Sequence, residues 1–164
     1  MMPIRALGPD EAPALLAIFR AAVRVTAARD YAPEQIEAWS PAQWPPAQCE
    51  RWIERVRALH PFVAEIDGVA AGYADLQDDG LIDHFYVSPD FARRGVGAAL
   101  MGHLLALARE RGLHAVHSNV SRTAQPFFAR FGFDVVAQQR PLVRGVEVPN
   151  ARMRAVLVEP ADPR

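Results

Sequence analysis

Hydrophobic and polar positions change period along the chain, and each change marks an element. Pro3 to Leu7 is a short strand candidate, stopped by Gly8-Pro9-Asp10. Asp10 is placed to cap a helix, and Pro13 falls in its first turn, where a missing N–H is harmless. Leu15, Phe19, Ala22 and Thr26 recur at helical spacing, so this helix is expected to reach about Ala28. Asp30-Tyr31-Ala32-Pro33 breaks it. Glu34 to Trp39 is a short helical piece, and Ser40-Pro41 with Trp44-Pro45-Pro46 makes a stiff aromatic connection. Cys49, Trp52, Ile53 and Val56 mark another helix, ending near His60-Pro61.

The period then switches to two. Phe62, Ala64 and Ile66 alternate, and Asp67-Gly68 is a two-residue hairpin turn. Val69 to Leu76 returns as a strand, Gln77-Asp78-Asp79-Gly80 turns, and Leu81 to Val87 is a third strand, ended by Ser88-Pro89-Asp90. Gly95 to Arg111 carries Val96, Leu100, Leu104 and Leu107 on one face, with Gly112 as its stop. Leu113 to Ser118 reads as a strand and Thr123 to Phe131 as a short helix stopped by Gly132. Phe133 to Gln139 and Val146 to Val158 read as two long strands around Arg144-Gly145, and Glu159 to Arg164 as a frayed tail. The order β-α-α-β-β-β-α-β-α-β-β, with no internal repeat and no long linker, predicts one α/β domain over residues 1–164. Strands run consecutively in its middle, so a mixed sheet with helices on both faces is expected.

Composition narrows the function classes. The chain has 164 residues, 51% of them apolar and 23% charged, the balance of a globular protein. Lys and Arg number 18 against 19 Asp and Glu, a net charge of -1, so no nucleic-acid partner is expected. The lone Cys49 rules out an internal disulfide, and its helical setting favours a buried thiol over a nucleophile. No apolar run approaches ~18 residues and no secretory leader opens the chain, so a cytoplasmic protein with no membrane partner is expected.

The stretch from Phe85 to Ala98 carries the candidate chemistry. A strand ends, the chain turns, and a helix opens with Gly95 and Gly97 two apart. Such glycines let a backbone approach a ligand without Cβ clashes. The unpaired N–H groups of the first turn and the helix dipole favour an anion, and Arg93 and Arg94 add formal charge. Together they suit a pyrophosphate. The Gly-Lys-Ser/Thr ending of a Walker loop and the third glycine of a dinucleotide fingerprint are both absent. The plainer alternative is a glycine-rich helix start with two solvated arginines.

Leu81 to Asp90, followed by Arg93-Arg94-Gly95-Val96-Gly97-Ala98-Ala99-Leu100, resembles motif A of the GNAT superfamily of acyl-CoA N-acyltransferases. Ala124 to Phe133 resembles the family's fourth helix and the Gly-Phe after it, and the order of elements matches nearly the whole chain. The resemblance implies a GNAT-like, mostly antiparallel twisted sheet of about six to seven strands, acetyl-CoA as co-substrate and no metal. It implies that Phe85, Tyr86 and Val87 present backbone groups to the pantetheine and that Arg93, Arg94, Gly95, Val96, Gly97 and Ala98 hold the pyrophosphate. Three departures stand out. Ala92 replaces the usual Gln or Arg that opens the loop. Phe128 replaces the helix tyrosine that protonates the leaving thiolate, and Ser121 stands where an Asn is frequent.

An attacking ammonium must lose a proton, so a base is needed. Asp83 is the candidate, sharing a strand face with Leu81, Phe85 and Val87 by the period of two; desolvation there would raise its pKa. Its alternative is a simple pairing with an arginine or a turn amide. His84 should face the other way, as a surface or helix-packed residue. His114 and His117 point to opposite faces and suggest no metal pair. Tyr31, Trp39 and Trp44 are the candidate acceptor wall, or else, for the two tryptophans, helix packing. Asp30 to Gln35, Ala38-Trp39, Gly145-Val146, Pro149-Asn150 and Met153 resemble a bacterial branch of the family. The implied activity is transfer of an acetyl group from acetyl-CoA to a primary amine, on a small molecule or a peptide, in a ternary complex. The alternative is an acyl-CoA sensor without turnover, and a homodimer is a possible state.

Overall fold

The computed structural model describes residues 2–157. Val158 and the expected frayed tail lie outside the described residues. The elements run β1 (Ile4–Ala6), α1 (Ala12–Ala21), α2 (Pro33–Trp39), α3 (Pro46–Ala58), β2 (Phe62–Ile66), β3 (Val69–Ala74), β4 (Phe85–Val87), α4 (Val96–Glu110), β5 (Ala115–Ser121), α5 (Gln125–Arg130), β6 (Asp134–Gln139), β7 (Leu142–Val143), β8 (Val146–Glu147) and β9 (Asn150–Val156). The architecture is the expected mixed α/β one. Its seven longer strands form two antiparallel half-sheets, in orders β1-β2-β3-β4 and β5-β9-β6, and β7–β8 is a separate hairpin.

Helices cover both faces of the first half-sheet. On one side, α1 and α3 bury Leu15, Phe19, Trp52 and Val56 against Val63 and Tyr73. On the other, α4 sets Leu100, Met101 and Leu104 against Ala64 and Ala74 and reaches Val116 and Ala155 of the second half-sheet. Each large apolar side chain fully buried in this way contributes about 1.5–3 kcal/mol. Gly72 sets how closely α4 can approach. A Cβ there would stand 2.8 Å from Val96 Cγ1 and 3.0 Å from the Tyr86 carbonyl oxygen. The helix start is thereby held directly over the β3–β4 pair.

Local chemistry accounts for most boundaries. Asp67 and Gly68 both take positive φ (50° and 78°), as a tight hairpin between β2 and β3 requires. Pro13 does sit in the first turn of α1, but the cap residue is Glu11, not Asp10. The Glu11 carboxylate accepts from Arg5 Nη1 and Nη2 at 2.7 and 2.6 Å and from the Gly8 N–H at 3.1 Å, so it is committed to β1 and the turn. Arg5 holds its pKa below the ordinary carboxylate value. After Ala21 the first helix widens into a π turn, Ala22–Thr26, and then tightens into a single 3-10 turn, Ala27–Arg29.

Several expected strands shift. The strand expected from Leu81 to Val87 is a strand only at Phe85–Val87, because the Asp75 carboxylate takes the N–H groups of Asp83 and His84 and spoils the ladder there. Strand β5 runs on to Ser121, past the expected end at Ser118, because it pairs with β9 along its whole length. The strand expected from Val146 is broken at Val148-Pro149 into β8 and β9. Cys49 is half-buried, its Sγ 3.9 Å from the Trp44 carbonyl oxygen.

Candidate active site

The two half-sheets meet at one point and then part. Leu81 and His117 form an isolated parallel bridge. Ile82 N–H donates to the His117 carbonyl at 2.8 Å, and His117 N–H to the Gly80 carbonyl at 3.0 Å. The buried Ser118 hydroxyl donates to the Ile82 carbonyl at 2.7 Å. Gly80 permits this closure: at φ 90° any Cβ would lie 2.5 Å from the Ala115 carbonyl oxygen. Beyond the bridge β4 pairs only with β3, and β5 only with β9. The result is a V whose β4 side is a free backbone edge.

Asp75 keeps the V open. It is fully buried, and its Oδ1 accepts from His84 N–H at 2.6 Å. Its Oδ2 accepts from Gln77 Nε2 at 2.6 Å and from Asp83 N–H at 3.4 Å. Burial raises its pKa, against the lowering effect of these donors. A carboxylate inside the apolar run Val69–Leu76 was the available sequence signal, since buried charges need dedicated partners.

A cavity of about 230 Å³ fills the V, walled by Phe85, Tyr86, Val87, Gly97, Ser121 and Phe128. Ala22, Thr26, Ala27 and Arg29 of the widened helix close its far side. It continues into a smaller cavity of about 150 Å³ that shares Trp39 and adds Tyr31, Asp83, Asn119 and Asn150. A third chamber, of about 420 Å³, shares Trp39 and Asp83 with the second. Trp39 therefore stands where all three meet.

Asp83 lies at that junction but not as expected. It is exposed rather than desolvated, and it sits outside the regular strand, so strict alternation does not place it. It still lines the same cavity as Phe85 and Phe128. Neither an arginine nor a turn amide engages its carboxylate among the described residues. Tyr31 is committed to structure. Its hydroxyl donates to the Pro149 carbonyl at 2.5 Å and accepts from Arg122 N–H at 2.9 Å, leaving its ring as cavity wall. Burial raises its pKa. Trp44 lines the third chamber only, packed edge-on to Phe19 at 6.2 Å.

His84 is packed, not surface-exposed. Phe19, Trp52, Tyr73 and Tyr86 surround it with ring centroids 5.6 to 6.3 Å away. Its Nδ1 pairs with the Tyr73 hydroxyl at 3.0 Å, and desolvation lowers its pKa, which favours the neutral ring. Phe128 is 2% exposed and belongs to an aromatic cluster with Phe85, Phe127 and Phe133.

The mouth of the V meets the start of α4. Arg93 and Gly95 both take left-handed φ (62° and 80°) in the turn that delivers the helix. Val96 buries its side chain in the core, so it offers a ligand only its N–H. Arg93, Arg94, Gly95 and Ala98 are exposed, and the Arg94 guanidinium rests 5.6 Å above the Phe91 ring. Gly97 has a second role that its spacing does not reveal: a Cβ there would press on the Phe127 ring at 3.1 Å. Ser121 Oγ accepts from Ala124 N–H at 3.2 Å at the tip of β5.

The fold that carries this split sheet is shared with known proteins. A family model described as an acetyltransferase (GNAT) domain matches residues 27–154. The chain is 37% identical over 153 residues to YafP of Escherichia coli K12, described as an uncharacterised N-acetyltransferase, across 92% of this chain and 93% of that one. A GCN5-related N-acetyltransferase from Rhodopseudomonas palustris superposes with a TM-score of 0.88 at 30% identity over 96% of both chains. A putative acetyltransferase from Salmonella typhimurium, yncA, solved with acetyl-CoA, shares the fold at TM-score 0.67 and 24% identity, over 100% of this chain and 98% of that one. This chain belongs to the GNAT acetyltransferase family. Among the described residues no cluster of His, Cys, Asp or Glu could hold a metal ion, and no helix is long and apolar enough to cross a membrane.

Proposed function

We propose that this chain transfers an acetyl group from acetyl-CoA to a primary amine, by direct attack in a ternary complex. The observation that carries the reading is the V itself: a free strand edge facing an apolar groove that ends at an unpaired carboxylate. The N–H and C=O groups of Phe85 and Val87, which point away from β3, suit the amides of a pantetheine arm, and Phe85, Val87, Phe127 and Phe128 suit its methylenes. The first-turn N–H groups of Val96, Gly97 and Ala98, with Arg93 and Arg94 beside them, suit the pyrophosphate. Proteins of the same fold solved with acetyl-CoA, and in a Thermoplasma acidophilum protein with coenzyme A, support acetyl-CoA as the donor.

Bound there, acetyl-CoA supplies an activated acetyl thioester. Asp83 accepts the proton of the incoming ammonium, directly or through one water. Its exposure suits this role, because the proton must then pass to solvent. Phe128 brings no hydroxyl to the groove. Ser121 does: its Oγ accepts from Ala124 N–H, so its own proton stays free to donate toward a departing thiolate. A thiol of ordinary pKa, about 8.5, leaves with little assistance.

The test is thiol release from acetyl-CoA against a panel of amines. Turnover with at least one amine is expected, and Asp83→Asn is expected to lower it roughly 10²-fold at neutral pH. The loss should shrink as pH rises, because more amine arrives neutral, and coenzyme A affinity should be unchanged. Tight coenzyme A binding with no turnover on any amine would make the domain a sensor. Full activity in Asp83→Asn would remove Asp83 from the chemistry.

A further inference from the structure

The third chamber lies off the groove assigned to the cofactor, and at about 420 Å³ it is of small-ligand size. Its walls are aromatic: Phe19, Trp44, Trp52 and His84, with Trp39 at the entrance. Its charges are separated. Asp83 stands at the wall shared with the acyl-side cavity, while Arg55 of α3 and Arg144 of the β7–β8 turn line the remainder. None of the three forms an ion pair among the described residues, where the ion pairs are Arg5 with Glu11 and Glu65, and Arg24 with Glu37. Arg144 is held in place, its Nη1 donating to the Ala38 carbonyl at 2.7 Å and its guanidinium lying 5.9 Å above the Trp44 ring. The Trp44 Nε1 is buried and has no acceptor in the protein.

Unpaired cations, an orphaned indole N–H and an unpaired carboxylate around one apolar chamber describe a dipolar guest. We infer that the chamber binds the acceptor as a zwitterion: an amine that also carries a carboxylate, on an aromatic or aliphatic body. The ammonium lies at Asp83, next to the acyl-side cavity. The carboxylate lies toward Arg55 and Arg144, within reach of an N–H donor of the kind Trp44 leaves unused. The body rests on Phe19 and Trp52. Neutral His84 adds no competing charge. The assignment rests on the amine-acetylation reading for its orientation, but the binding site can be tested without turnover.

Calorimetry on the full chain, saturated with coenzyme A, compares two matched pairs: phenylalanine with phenethylamine, and 5-aminopentanoate with pentylamine. The acid of at least one pair should bind roughly tenfold or more tighter than its partner, the scale of a charge-assisted contact. Arg55→Ala, which removes a side chain with no hydrogen bond among the described residues, should abolish that preference while coenzyme A affinity holds. Arg55→Glu should reverse it. Equal or weaker binding of both acids, no measurable binding of any of the four, or a preference that survives in Arg55→Ala and Arg144→Ala alike would overturn the inference. The thiol-release panel run on the same compounds separates the two readings. Acid-selective binding without turnover sinks only the enzymatic proposal, and turnover that favours the plain amines sinks only the zwitterion.

Discussion

Asp75 is a carboxylate with no route to water, and its three donors define the opening of the site. Its pKa is raised in the folded protein, so the stability it allows is fully present below the ordinary value of about 3.8 and is lost as pH rises through the higher folded value. Once ionised the buried group is a net burden, offset in part by the Asp83 and His84 N–H groups that it takes from the backbone ladder. Asp75→Asn keeps an acceptor for His84 but sheds the charge. Its stability relative to the parent should therefore improve as pH rises from about 3.8 and level off once the folded Asp75 carboxyl is ionised, as read by urea unfolding, while turnover falls because the Gln77 and Asp83 donors lose their shared oxygen. A variant whose relative stability is flat with pH would remove Asp75 as the titrating group. Part of the groove was legible from sequence: Phe85 to Val87, named by the resemblance to motif A, line the cavity, and the two glycines open α4 as their spacing predicted. Asp75, Tyr73 and the aromatic packing of His84 were not, because each depends on neighbours distant in sequence. A ladder ended by a side chain just past the adjacent strand leaves no mark on a strand's own alternation.

At the scale of elements, α4 and its turn do most to set up the groove. Gly72 lets the helix settle on β3, Gly95 supplies the left-handed turn, and Gly97 leaves space for Phe127. Gly97→Val would therefore disturb the α4–α5 packing as well as any phosphate. Ala98, exposed in the first turn, is the cleaner probe. Ala98→Glu should lower coenzyme A affinity by about tenfold or more through like-charge repulsion, with an unchanged melting temperature, and Ala98→Ser should change neither. Unaltered affinity in Ala98→Glu would move the pyrophosphate elsewhere. Elements governed by their own turn chemistry, such as the Asp67-Gly68 hairpin and α4, were readable in advance. Those governed by partners were displaced. The β5 strand gains three residues because β9 runs opposite it, and the break at Val148-Pro149 is fixed by Val148 N–H donating to the Pro141 carbonyl at 3.0 Å.

Across the whole molecule, the free protein has an unfinished sheet. One bridge joins its halves, and the bonds that a strand would make along β4 are left unmade. In the proposed binding mode a pantetheine arm in the V would act as that missing strand, so ligand binding and folding would draw on the same set of contacts. At a hundredfold excess over its dissociation constant, coenzyme A should add about 2.7 kcal/mol of stability, or roughly 5 to 10 °C in melting temperature. Amides of Phe85 to Val87 and of β5 should slow most in hydrogen exchange; uniform slowing across the chain would argue against local completion of the sheet. In a living cell, the same coupling would tie the lifetime of this protein to its metabolic fuel. Copies that find no acetyl donor would open more often and be degraded sooner, so abundance would follow donor supply without any dedicated regulator.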